Sequence, residues 1–214
     1  MGSDPRRLDG LRADEQVAAR LVERATGATA RAHDVGRRQG AYDVHLTYPG
    51  GRTGALEVTT HAGEASRRGL VLLGRDRLAL TDPEHLVRHW SAGLAGDGGE
   101  RAASVSVSEP SMPDATLRSL PDAVTRLLVE PHVARRAAKV ASARRVDERH
   151  LFVGLAEGGL PPALYRRLSG PLGVLPSEPP QVPDGLTHLW LSTEWRGSPL
   201  LRWQRDGGWS AHRV

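Results

Sequence analysis

Two carboxylates in this chain are placed where they could do chemistry together. Tyr48-Pro49-Gly50-Gly51 is a strong turn signal between two runs, 41–48 and 52–60, which read as the strands of a β-hairpin. Side chains alternate along a strand, so Asp43, His45 and Thr47 share one face, and Ala55, Glu57 and Thr59 share a face of the second strand. If the turn is symmetric about Gly50, Asp43 lies opposite Glu57 with Cβ atoms about 5 Å apart. Like charges so placed repel. A divalent cation taking one oxygen from each, with a backbone carbonyl and water completing its shell, removes the repulsion. His45, on the same face as Asp43, reads as a polar neighbour of this pair.

Two more groups stand out by position or rarity. Val17, Ala18, Leu21, Val22 and Ala25 recur at helical spacing over 11–26, with Asp14 and Glu15 in the first turn and Gly27 at the end. Glu15 precedes Ala18 and Val22 on the apolar face, so it points inward, where it can also simply favour the helix N-terminus. Of 29 basic side chains, Lys139 is the only lysine. It falls in an Ala- and Arg-rich stretch, 134–146, expected to be a helix that leads into an apolar strand at 150–155. Arg135, Arg136, Arg144, Arg145 and Arg149 surround it and suit phosphate contacts that position a nucleic-acid strand without reading its sequence, or a solvated charged face.

The order of these parts is a helix with an inward Glu15, a strand, a hairpin with Asp43 and Glu57-Val58-Thr59, a helix with Lys139 and an apolar strand. It resembles the PD-(D/E)XK nuclease superfamily, whose core runs αβββαβ, over about residues 11–60 and 131–193. The resemblance implies an α/β fold with a mixed central sheet, a restriction-endonuclease-like core and flanking helices. It also implies that Asp43 and Glu57 hold Mg²⁺ or Mn²⁺, that Val58 lends its carbonyl, and that Glu15 is an outer acidic ligand. Two positions depart from the motif: Tyr42 stands where it has Pro, and Thr59 stands where it has Lys. The Thr59 hydroxyl can bind a water but brings no charge to an anionic centre. Some members of the superfamily carry the lysine on the neighbouring helix, which gives Lys139 the role of orienting the attacking water. The expected function is metal-dependent hydrolysis of phosphodiester bonds in nucleic acid, DNA before RNA. The alternative is a catalytically inactive relative that keeps the fold as a nucleic-acid- or protein-binding module. A small-molecule enzyme on the same scaffold is a third possibility, since fold does not fix function.

Composition narrows the field around this site. The chain of 214 residues has no Cys, which excludes disulfides, thiolate metal sites and a Cys nucleophile, and leaves carboxylates, His and carbonyls as ligands. A net charge of +4 and a pI near 10.2 suit a phosphate-bearing partner. There is no P-loop, no GxGxxG after a strand and no GxSxG elbow. No window reaches the roughly 18–20 apolar residues of a membrane span, and the N-terminus lacks a signal-peptide core, so a cytoplasmic protein is expected.

Residues 1–214 read as one domain, with its core at 11–60 and 131–193, an insertion or covering segment at 61–130 and C-terminal strands in 194–214. If the 61–130 segment formed a homodimer interface, cutting of both strands of a duplex would follow. The remaining expected elements are a strand at 28–34, a polar connection at 35–40, a strand near 103–108 and helices near 122–129 and 162–168. A Pro-rich loop at 171–183 and strands at 187–192, 200–203 and 209–212 complete the chain. His85 and His89 have zinc-like i, i+4 spacing but no third ligand, and Trp190, Trp195, Trp203 and Trp209 read as core and sheet-edge packing.

Overall fold

The computed structural model describes residues 5–33, 42–61, 115–156, 159–168, 172, 174–193 and 198–213. The connection expected at 35–40, the strand near 103–108, His85, His89 and Trp195 lie outside them. Helix α1 (Ala13–Thr26) starts where Glu15 reaches back to cap it and stops where Gly27, at φ 72°, adopts the left-handed conformation and donates its N–H to Glu23. Its apolar stripe, Ala18, Ala19 and Val22, is fully buried against the sheet.

Strands β1 (Thr29–Ala32), β2 (Val44–Thr47), β3 (Thr53–His61), β4 (Glu148–Leu155), β5 (His188–Thr193), β6 (Leu200–Gln204) and β7 (Gly208–His212) form one seven-stranded sheet in sequence order. The pairs β3–β4 and β4–β5 are parallel and the others antiparallel, so the sheet is mixed. Gly50 and Gly51, at φ 92° and 87°, make the β2–β3 turn possible. The register expected from that turn is the one observed: Val44 faces Leu56 and His45 faces Ala55. Parallel strands need crossovers, and helices supply them. Helices α2 (Ala115–Arg118), α3 (Leu120–Leu128) and α4 (Pro131–Ala141) precede β4, and α5 (Pro162–Leu168) precedes β5.

The sheet is covered on both faces. Val44, Leu46, Leu56, Val58, Phe152 and Trp190 pack with α1 on one side. Ala55, Leu151, Val153, Leu189 and Leu191 pack with α3, α4 and α5 on the other. With both faces covered, β3 is buried along nearly its whole length and β4 along most of its own, which is why a buried carboxylate on β3 is conspicuous. The buried side chains of α2 and α3 lie in the helical layer on this face.

One expected element needs correction. The helix read at 134–146 runs instead from Pro131, whose fixed φ suits a first helical position, to Ala141. Arg145 adopts φ 58°, which no α-helix accommodates, so Arg144 and Arg145 lie beyond the helix end. Trp190 and Trp203 are core residues, as their sequence context suggested.

Candidate functional site

Alternation along β3 turns Glu57, Thr59 and His61 toward the helical layer. Across from them α4 presents His132, Arg136 and Lys139, spaced i, i+4, i+7 and hence on one helical face. The helix runs antiparallel to β3, so Lys139 and Arg136 meet Glu57 while the rings of His132 and His61 stack with centroids 5.3 Å apart. A cavity of about 360 Å³, lined in part by His61, Arg126, Glu130 and Leu160, lies at the histidine end.

Asp43 sits immediately before β2, and its Oδ2 accepts the N–H of Val58 at 2.8 Å. This bond ties the start of β2 to β3 and places the Asp43 and Glu57 carboxylates beside the same two cations. Lys139 Nζ lies 3.0 Å from Glu57 Oε2 and 3.6 Å from Asp43 Oδ1. Arg136 Nη1 donates to Glu57 Oε1 at 2.5 Å and lies 3.9 Å from Asp43 Oδ1. Glu57 is fully buried, and its Oε2, although beside the ammonium, has no hydrogen bond of acceptable geometry.

The electrostatics follow from this packing. Burial pushes the Glu57 pKa up, the Asp43 charge pushes it further, and the bonds from Arg136 and Lys139 hold it back. For Arg136, burial alone would lower the pKa, but the bond to Glu57 and the charges of Glu57, Asp43 and Glu15 outweigh it and raise it.

The other expected site residues are placed as follows. Thr59 is buried beside Glu57 on β3. Glu15 accepts from the backbone N–H of Arg12 at 2.8 Å and from its guanidinium at 2.7 Å, so it serves as the α1 cap while its charge reaches Arg136. His45 Nδ1 pairs with the Tyr42 hydroxyl at 2.9 Å, and Tyr42 stacks on His33 at 4.2 Å. Arg135, Arg144 and Arg145 are exposed, whereas Arg149 donates to the carbonyl of Ala143. Arg136, also expected at phosphate, bonds to Glu57.

A second polar cluster, not anticipated from the sequence, occupies the α1 face of the sheet. Glu148, His150 and His188 bring ligand atoms within 4.8 Å of one another, and such a group could hold a metal ion. The rings of His150 and His188 stack 4.1 Å apart, and His150 Nε2 lies 3.1 Å from Glu148 Oε2 and 2.9 Å from the Tyr48 hydroxyl. On its other side His150 Nδ1 accepts the indole N–H of Trp190 at 3.0 Å. An indole only donates, so the neutral imidazole carries its proton on Nε2, and a metal could take Nε2 only if the Trp190 bond broke. The arrangement as it stands therefore holds a proton between His150, Glu148 and Tyr48. Burial holds the pKa of His188 down at about 3, and the bond from His150 holds that of Glu148 down at about 2. The signal for this cluster is three polar residues on adjacent parallel strands, which becomes visible only once the β4–β5 register pairs His150 with His188.

No family model matches the chain, and no curated protein or solved structure matches it either.

Proposed function

We propose that the chain is a divalent-metal-dependent phosphodiesterase of nucleic acid, built on the αβββαβ core of restriction-endonuclease-like proteins. The observation that carries this is the meeting of Asp43, Glu57 and Lys139 within 3.0–3.6 Å, although 82 residues separate Lys139 from Glu57. The succession α1, β1, β2, β3, α4 and β4 agrees with that core order.

The donor set fits Mg²⁺ or Mn²⁺, because it consists of hard oxygens. Glu57 Oε2, buried without a hydrogen-bond partner, and Asp43 Oδ1 would hold the ion. The carbonyl of Val58 joins them, because strand backbone groups turn it to the same side as the N–H that Asp43 accepts. Such an ion, when bound, supplies a water of lowered pKa and positive charge for the leaving oxygen. Lys139, beside both carboxylates, orients the attacking water, and its ammonium supplies the charge that Thr59 lacks. Thr59 offers a hydroxyl to the same water, while Glu15 contributes charge at the rim. The exposed Arg135, Arg144 and Arg145 contact flanking phosphates and set no sequence preference. DNA is the expected substrate before RNA.

The test is cleavage of labelled single- and double-stranded DNA and RNA with Mg²⁺ or Mn²⁺, beside EDTA, Asp43→Ala and Lys139→Ala. Cutting that requires metal and falls by at least about 100-fold in both variants is expected. Lack of cutting by the intact protein on every substrate would overturn catalysis.

One observation favours a second reading, an inactive module that binds nucleic acid: Arg136 and Lys139 already neutralise the two carboxylates. In that case salt-sensitive nucleic-acid binding survives Asp43→Ala.

A further inference from the structure

The carboxylate pair is electrically complete before any ion arrives. Asp43 and Glu57 carry two negative charges, and Arg136 and Lys139 bring two positive charges within 3.9 Å of them. Adding a divalent cation leaves an excess of positive charge around a fully buried carboxylate, which is costly in a weakly solvated site. Displacing one resident cation relieves that excess. Lys139 lies 3.0 Å from both oxygens of Glu57 and its side chain is 20% exposed. Arg136 contacts one Glu57 oxygen, by the shorter bond, but its side chain is 30% exposed, so of the two cations it has the more open way out to solvent.

We propose that Arg136 is a built-in counter-ion that a divalent cation displaces from Glu57, and that the displaced guanidinium turns to a phosphate of the substrate. Metal and nucleic acid then bind cooperatively, because the ion releases the fork that grips the phosphate. This rests on the metal centre proposed above.

The experiment is a Mn²⁺ titration, read as the electron paramagnetic resonance signal of the free ion. It compares the wild type with Arg136→Gln, Asp43→Asn and Arg166→Gln, the last removing the same charge from an exposed position on α5. Arg136→Gln is expected to bind Mn²⁺ at least about tenfold more tightly than the wild type, with Arg166→Gln within about twofold of it and Asp43→Asn showing no site. A nuclease-resistant phosphorothioate oligonucleotide then reads the second half: Mn²⁺ strengthens its binding to the wild type and not to Arg136→Gln. If Arg136→Gln binds Mn²⁺ no more tightly while Asp43→Asn abolishes binding, the arginine proposal is wrong and the metal centre stands. If Arg136→Gln, folded by circular dichroism, binds no Mn²⁺ and neither does the wild type, the metal centre itself is wrong. Should Arg136→Gln fail to fold, Arg136→Met keeps the apolar stem but removes the charge and must bind Mn²⁺ more tightly than the wild type, or the proposal fails.

Discussion

The indole of Trp190 and the guanidinium of Arg136 each fix the state of a buried titratable neighbour, His150 in one case and Glu57 in the other. Trp190→Phe keeps most of the packing but leaves Nδ1 of the fully buried His150 without its donor. The expected loss is about 1–3 kcal/mol in urea unfolding; an unchanged midpoint would show that the indole bond is not what holds the imidazole. How far such residues could be read from the sequence depended on their rarity. Lys139 could be singled out as the only lysine, whereas Arg136 has no mark among many arginines, and only the packing of α4 on β3 separates it from exposed Arg135. Asp43 and Glu57 were legible because one turn sets their register, which is local information. Glu148, His150 and His188 were not, because they meet across strands joined by long connections.

Among the elements, the hairpin, α5 and the C-terminal strands lie close to where periodicity and turn residues put them. The end of α4 did not, and the reason is tertiary. Ala and Arg favour helix beyond residue 141, but the chain must turn into β4, and it does so through Arg145 in a left-handed conformation. Gly185 shows how tightly that helix end is held. Its φ is 87°, and a Cβ there would stand 2.7 Å from the carbonyl oxygen of Ala141, the last residue of α4. Gly185→Ala therefore combines backbone strain with a backbone clash and is expected to destabilise the protein by about 1–3 kcal/mol. Because Lys139 is one turn or less from Ala141, the same variant should weaken any activity that depends on Lys139; equal stability by thermal unfolding would contradict the packing described.

For the whole molecule, acid is the expected weakness. The pKa of His188 falls from 6.5 to about 3 on folding, chiefly through burial and then the neighbouring His150. The unfolded chain thus binds more protons than the folded one between those values, and stability falls as pH drops through that window. Glu148, lowered from 4.5 to about 2 by its bond with His150, acts with the same sign below pH 4.5. Glu57, raised by burial, acts with the opposite sign and offsets part of the loss. Urea midpoints should decline from about pH 6.5 down to about pH 4, and a flat profile would show that His188 is not buried as described.

The order of the strands has one more consequence, for the time course of folding. The β2–β3 hairpin closes over a short turn, but Lys139 reaches Glu57 only after a separation of 82 residues is closed, and such contacts form late. The acidic pair is therefore expected to assemble before the helix that neutralises it docks. On the proposed metal reading, a divalent cation present while the chain folds would meet those carboxylates before Arg136 does.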